Sequence, residues 1–186
     1  MQSTSSQPYA IMMVGLPGSG RSFFASQFSE TFGAPHIDAT EISRYCKDEQ
    51  ATQALTLHLL NELAKTGTSF IYEGDTGSRV RRTEFSRWAR QHGRQPLIVW
   101  VQTDLATARQ RSMKNKHISR EVFDYQVKHF SEPHPSELQV VISGKHTYAS
   151  QARGVLGVLG RTHQRAVESH TNTPRGHIHS ERSRTE

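Results

Sequence analysis

The segment that most constrains the fold of this chain is a glycine-rich loop between an apolar run and a second apolar-patterned stretch. Residues 10–28 read AIMMVGLPGSGRSFFASQF. The phosphate-binding pattern Gly-x-x-x-x-Gly-Lys-[Ser/Thr] is met at Gly15, Gly20 and Ser22, whereas Arg21 stands where the pattern has lysine. An apolar strand before the loop and helical spacing of Phe24 and Phe28 after it supply the context that this motif requires. The segment therefore predicts a strand, a phosphate-binding loop and a helix.

Glycines allow the backbone N–H groups of such a loop to turn inward around phosphate oxygens, and the helix N-terminus adds partial positive charge. Arg21 carries a wider, planar charged group than lysine and can hold two phosphate oxygens at once. It is less suited to follow a γ-phosphoryl group during transfer, so we expect nucleotide binding to survive better than turnover. The residues predicted to contact the nucleotide here are Gly15, Leu16, Pro17, Gly18, Ser19, Gly20, Arg21, Ser22 and Phe23.

Short apolar runs alternate with longer helical patterns along the chain, and no internal repeat interrupts them. Four of the runs are almost continuously apolar, as strands buried on both faces of a parallel sheet are. This alternation predicts an α/β fold, a three-layer α/β/α sandwich around a five-stranded, mostly parallel sheet. The predicted strands are 9–14, 35–38, 68–73, 96–101 and 138–143.

Polar side chains follow the predicted strands at the points where they end. Asp38 and Glu41 follow the second run, Glu73 and Asp75 the third, and residues 102–104 the fourth. Ligands of open parallel sheets bind beyond the carboxyl ends of the strands. Glycines, acids and basic residues therefore converge at one edge, where they are suited to bind phosphate and a metal ion.

With this context, the chain resembles P-loop kinases, specifically the branch with polynucleotide kinases and zeta toxins, over about residues 9–160. HIDATEISR resembles the second-strand acid and following arginine of that branch. The resemblance implies that Asp38 is the base for an acceptor hydroxyl and that Arg44 contacts an acceptor phosphate. Asp38 could instead cap a helix starting near Thr40, and the two roles are compatible.

FIYEGDT resembles the third-strand acid of the family, which implies that Glu73 or Asp75 holds Mg²⁺ through water, together with Ser22. Residues 74–77 could also be no more than a turn. VQTDLATARQRSMKNK resembles the family's lid, where Arg111 and Lys114 would meet the adenine and phosphates of ATP. A solvated basic helix face is the alternative reading of this stretch.

These features predict an ATP-dependent phosphotransferase that moves the γ-phosphoryl group to a hydroxyl, with catalytic roles for Arg21, Asp38 and Arg111 and with ATP and Mg²⁺ as cofactors. The acceptor is a small molecule or the 5′-hydroxyl of a nucleic acid. A nucleotide-binding module with weak ATPase activity is the alternative. The arginines that could contact a nucleic-acid acceptor, or simply form an exposed helix face, are Arg79, Arg81, Arg82, Arg87 and Arg90.

Composition sets the remaining expectations. The net charge of +6 suits polyphosphate binding as well as nucleic acid, and so does not choose between them. The single cysteine, Cys46, fits a reducing compartment. The N-terminus does not resemble a signal peptide, and no window approaches the roughly 20 apolar residues of a membrane-spanning helix. We expect a cytoplasmic protein with a flexible N-terminus (1–8), one domain (9–160) and a disordered basic tail (161–186).

Overall fold

A computed structural model describes residues 7–114 and 118–171, with side chains described as far as residue 160. Strands and helices alternate, as the sequence predicts. The strands are β1 (Tyr9–Val14), β2 (His36–Asp38), β3 (Phe70–Glu73), β4 (Gln95–Gln102) and β5 (Gln139–Ser143). The helices are α1 (Arg21–Phe32), α2 (Ala39–Ser43), α3 (Glu49–Lys65), α4 (Arg79–Gln91), α5 (Leu105–Lys114), α6 (Arg120–His129) and α7 (Tyr148–Thr171).

The strands form one sheet in the order β2-β3-β1-β4-β5, and every neighbouring pair is parallel. This confirms the predicted α/β fold with a five-stranded sheet. All strands therefore end at the same edge of the sheet, and β1, which carries the glycine loop, lies between β3 and β4. The polar residues that follow β1, β3 and β4 are thereby brought next to one another.

Strand β1 is buried along its whole length because helices cover both faces of the sheet. Ile11 and Met13 pack with Phe24 of α1 and Val155 of α7. The alternate residues of the strand point to the opposite layer, where Ala10 packs with residues of α3 and α4. A strand with two dry faces has no place for polar side chains, which explains the uninterrupted apolar run in the sequence.

Helix α7 continues to Thr171, so residues 161–171 are helical, although the sequence led us to expect no structure after Gly160. The run RTHQRAVESHT lacks proline and glycine and holds arginine, glutamine, alanine and glutamate, which all favour helix. The intrinsic helix propensity of this run thus favours the continuation of α7 beyond Gly160. Residues 172–186, which complete the predicted tail, and residues 1–6 lie outside the described residues.

Two arginines of the basic stretch between β3 and β4 are fully buried. Arg82 donates to both carboxylate oxygens of Glu137, at 3.0 and 3.2 Å, and to backbone carbonyls of the segments 76–77 and 131–132. Arg94 donates to the carbonyls of Leu63 and Ala64 in the last turn of α3 and to that of Thr68 in the loop that follows. The five N–H donors of Arg82 are therefore used inside the protein. The sequence had suggested that Arg82 contacts a nucleic-acid acceptor or lies on an exposed helix face, and the structure shows neither.

Replacing Arg82 by methionine should lower the free energy of unfolding by about 3–5 kcal/mol, since it leaves Glu137 half-buried without its partner. The matched control is Arg87→Met, an exposed arginine of the same helix, which should change stability by no more than about 0.5 kcal/mol. Urea unfolding followed by circular dichroism measures both. Equal effects of the two substitutions would contradict a structural role for Arg82.

Candidate nucleotide-binding site

The glycine loop leaves β1 at Gly15 and enters α1 at Arg21. Gly18 and Gly20 adopt φ angles of 77° and 104°, which side-chain-bearing residues rarely do. Gly20 is the N-cap of α1, and no side chain caps this helix. The first N–H groups of α1 therefore have no side-chain acceptor and are free to bind an anion.

The segments after β4 and β5 hold the loop from outside. The Thr103 hydroxyl donates to the Ser19 carbonyl at 3.1 Å, and a Cβ on Gly144 would overlap that same carbonyl. On the other side, a Cβ on Gly18 would overlap the carbonyl of Ala108 in α5. The loop is thus tightly packed between neighbouring backbone segments, which fixes its conformation before any ligand binds.

Glu73, at the end of β3, lies directly beside the start of α1. The Ser22 hydroxyl donates to Glu73 Oε1 at 2.8 Å, and Arg21 Nε lies 3.7 Å from the same oxygen. Glu73 is 4% exposed, so its carboxylate is shielded from bulk water, whereas Ser22 and Arg21 reach it from the protein surface. In this state the guanidinium that replaces the usual lysine contacts the acid of the neighbouring strand.

Burial disfavours the charged form of Glu73, but the ring of His36, the charge of Arg21 and the hydroxyl of Ser22 outweigh it. Together they hold the pKa of Glu73 below its ordinary value of 4.5. The carboxylate is therefore ionised at neutral pH despite its burial, as a residue that attracts a cation must be.

Asp38 and His36 lie next to Glu73 at the end of β2. Asp38 Oδ1 accepts the N–H groups of Thr40 and Glu41, at 2.8 and 3.4 Å, and so caps α2. His36 Nε2 lies 3.6 Å from Glu73 Oε2. Sequence reasoning missed His36; its position two residues before Asp38 in a strand, and hence on the same face, was the signal that could have found it.

Two of the predicted residues lie apart from this cluster. Asp75 is exposed and pairs with Arg81 at 3.2 Å, so the structure brings Glu73 and not Asp75 to Ser22. Arg44 is exposed and pairs with Glu41 at 3.0 Å. Neither side chain faces the loop in this conformation.

The predicted lid residues lie on α5, which packs against the loop. Arg111 is partly buried and donates to the carbonyl of Gly144 at 3.1 Å, so it lies close to Ser19. Lys114, at the last position of α5, is exposed. Phe23, at the start of α1, exposes 63% of its surface, and only its backbone is suited to face the loop.

Two cavities open at this edge of the sheet. One, of about 380 Å³, lies beside Asp38 and reaches Ser22. Its lining is Ser22, Ser26, His36, Ile37, Asp38, Glu41, Ile42 and Leu59. The other, of about 440 Å³, lies where β4 and β5 end and is lined in part by Leu16, Asp104, Phe130, Ser143 and Lys145. Both have the size of small-molecule sites.

The residues present fit Mg²⁺ bound together with a nucleotide. Ser22 offers a hydroxyl and Glu73 an ionised carboxylate, and the Ser22 oxygen lies 2.8 Å from Oε1 of that carboxylate. Oxygen ligands of this kind, with waters retained, are what Mg²⁺ prefers.

The low pKa of Glu73 predicts how stability depends on pH. Between the lowered pKa and 4.5 the unfolded chain binds more protons than the folded one, so stability should fall as the pH falls through this range. Glu73→Gln removes this group and should flatten that part of the profile. Exposed Glu84→Gln is the control. Unfolding curves between pH 3 and 7 would contradict the assignment if Glu73→Gln kept the wild-type acid dependence.

Comparison with known proteins places the chain in a family. A family model described as an AAA domain matches residues 11–133, more than half of the chain. A comparison with curated proteins found no match. In the described part of the chain, no helix combines the length and apolar character needed to cross a membrane.

Solved structures share the fold, and three of them match at a TM-score of 0.66. A gluconokinase from Sinorhizobium meliloti 1021 is 16% identical, with 88% of this chain and 98% of that one aligned. The Mycobacterium tuberculosis APS kinase CysC, in complex with AMPPNP and APS, is 16% identical over 83% and 98%. Chaetomium thermophilum Kti12, in complex with ADP-AlF3, is 14% identical over 81% and 97%.

These structural similarities establish the fold, and the family model together with the glycine loop between β1 and α1 establishes the relationship: the chain belongs to the AAA domain family of P-loop NTPases and has the kinase-like form of that fold.

Proposed function

We propose that this protein binds ATP and transfers its γ-phosphoryl group to a hydroxyl of a small molecule. One observation carries the proposal: the uncapped N-terminus of α1 follows the glycine loop, with Ser22 and the ionised, buried Glu73 beside it. Free N–H groups bind phosphate oxygens, and the hydroxyl–carboxylate pair suits the accompanying cation. The ATP-analogue and ADP-AlF3 complexes named for the APS kinase and Kti12 support nucleotide use by this fold.

Each residue has a distinct part in the proposed reaction. The backbone of residues 15–22 and the Arg21 guanidinium hold the β- and γ-phosphates, and Arg111 approaches them from α5. Asp38 accepts the proton of the acceptor hydroxyl. The hydroxyl oxygen forms the new bond to the γ-phosphorus, and the bond between that phosphorus and the bridging oxygen of the departing ADP breaks. Mg²⁺, held by Ser22 and by Glu73 through water, would neutralise the phosphate charge. Lys114, at the end of the same helix, would also contact the nucleotide.

The cavity beside Asp38 favours a small acceptor without phosphate groups. Its lining includes the carboxylates of Asp38 and Glu41 and, within the described residues, neither lysine nor arginine. A polyanion would meet like charges there, which costs affinity. The predicted nucleic-acid groove also loses one of its arginines, since Arg82 is buried. Neutral or cationic hydroxyl compounds fit this lining better than a 5′-hydroxyl oligonucleotide does.

One observation favours a second function, nucleotide binding with weak ATPase activity and no efficient transfer. The guanidinium of Arg21 lies 3.7 Å from the carboxylate of Glu73, which competes with phosphate for its charge. A cation that must leave an acid before it reaches the γ-phosphate stabilises the transition state less well. The two functions share the same binding site and differ in turnover. The single cysteine, Cys46, suggests a reducing compartment such as the cytoplasm, which suits either of the two functions.

ATP with Mg²⁺ should bind to the full chain and raise its melting temperature, because the loop is already shaped for phosphate. Isothermal calorimetry with millimolar ATP, with and without Mg²⁺, measures the affinity. Ser22→Ala should reduce the dependence on Mg²⁺, and Ser26→Ala, on the next turn of α1, is the control. Neither heat nor thermal stabilisation in the wild type would contradict nucleotide binding.

Arg21→Ala should weaken ATP binding by about 1.5–3 kcal/mol, the scale of a charge-assisted hydrogen bond. Arg21→Lys should lower both affinity and turnover, because the two cations are not interchangeable at a site shaped for a planar fork. A rise in turnover for Arg21→Lys would instead favour the weak ATPase. Equal affinity in all three proteins would show that Arg21 does not contact phosphate.

With labelled ATP, we expect transfer to small hydroxyl compounds such as glycerol, glucose, glucosamine or uridine in preference to a 5′-hydroxyl oligonucleotide. Asp38→Asn should reduce transfer about 10²- to 10⁴-fold, because the base is lost while asparagine still caps α2. Preferential labelling of the oligonucleotide would contradict the small-molecule acceptor. Phosphate release without transfer to any acceptor would support the weak ATPase.

A further inference from the structure

Three potential metal ligands of different chemistry converge next to the cavity that His36 and Asp38 line. One atom each of His36, Asp38 and Glu73 lies within 4.8 Å of the other two. In the described part of the chain, no other group of three or more histidine, cysteine, aspartate or glutamate side chains meets in this way. The arrangement differs from an acidic patch at a surface because one member is an imidazole and another is a buried carboxylate.

The register of the sheet produces this cluster. Asp38 and Glu73 are paired residues of the neighbouring parallel strands β2 and β3. His36 precedes Asp38 by two residues in β2, so its side chain projects from the same face of the sheet. The three side chains are therefore held by hydrogen-bonded strands rather than by mobile loops, and their spacing does not depend on a nucleotide.

Two atoms at the centre of the cluster have only each other as neighbours of opposite polarity, at a distance too long for a good hydrogen bond. His36 Nε2 and Glu73 Oε2 are buried, face each other at 3.6 Å and donate to or accept from no other group. Side-chain exposure is 16% for His36 and 6% for Glu73. Polar atoms buried to this degree normally have partners, and an imidazole nitrogen and a carboxylate oxygen pointing at a shared space can both be satisfied by one cation.

The two carboxylate oxygens of Glu73 contact different neighbours. Oε1 accepts from Ser22 and faces Arg21, whereas Oε2 faces His36. Asp38 engages Oδ1 in capping α2, and its other oxygen is not needed for that cap. The cluster thus contributes donors that the proposed nucleotide-associated Mg²⁺ does not use.

We propose that His36, Asp38 and Glu73 form a binding site for a transition-metal dication such as Mn²⁺ or Zn²⁺, occupied in preference to Mg²⁺ and without nucleotide. One imidazole and two carboxylates suit these borderline ions, and three protein ligands leave a position open for water. Mg²⁺ prefers oxygen ligands only. A cation bound there would neutralise the carboxylates of Asp38 and Glu73. It does not rest on the proposed phosphotransferase activity.

Mn²⁺ added to the full, nucleotide-free protein tests the site. Electron paramagnetic resonance counts bound Mn²⁺, and its spin-echo modulation detects a directly bound histidine nitrogen. The wild type should show one tight site with nitrogen modulation, which a tenfold excess of Mg²⁺ does not displace. His36→Gln should abolish the modulation and weaken this binding by at least about tenfold. His58→Gln, an exposed histidine on α3, should leave both unchanged.

Asp38→Asn provides a second variant, because asparagine keeps the cap of α2 and should still weaken Mn²⁺ binding if His36→Gln proves unstable. The proposal would be overturned by the lack of a tight Mn²⁺ site, by nitrogen modulation that survives His36→Gln, or by ready displacement with Mg²⁺. Calorimetry with ATP and Mg²⁺ on the same samples reports separately on the nucleotide site, so the failure of one assignment does not imply failure of the other.

Discussion

The contact of Ser22 with the buried carboxylate of Glu73 is the interaction on which the rest of the site depends. This contact, at 2.8 Å, joins the first turn of α1, directly after the glycine loop, to the end of β3. Because Glu73 stays ionised inside the protein, it draws Arg21 and His36 towards one point and sets the electrostatics of the whole edge. Oε1 of this carboxylate faces the proposed nucleotide site, and Oε2 faces His36 of β2.

The part of this site that sequence could predict is the part encoded in contiguous residues. The apolar run of β1, the glycines of the loop and the start of α1 form one segment, and local pattern determines their structure. The alternation of strands and helices likewise predicts the parallel sheet, because only buried strands combine continuous apolar runs with helical connections. Asp38 both ends β2 and caps α2, as its position before Thr40 indicated.

What sequence could not predict depends on register and burial. Glu73 and Asp75 look equivalent in FIYEGDT, yet only the residue still in the strand faces Ser22, while the next acid turns outward to Arg81. The spacing of His36 and Asp38 places both on one face of β2, but only the alignment of β2 with β3 shows that His36 meets Glu73. Arg82 and Arg94 appear as members of a basic stretch, although tertiary contacts bury both and use their donors on carbonyls and on Glu137. No local pattern distinguishes such arginines from exposed ones.

The central claim is that the backbone of residues 15–22 binds nucleotide phosphates, and amide NMR tests it at the atoms concerned. On addition of ATP and Mg²⁺ to ¹⁵N-labelled protein, the N–H signals of Gly18, Gly20 and Ser22 should move furthest, because charged phosphate oxygens become their hydrogen-bond acceptors. The amides of the exposed face of α3 should stay in place. Unchanged loop amides at saturating ATP, or shifts confined to another part of the sheet, would contradict the account.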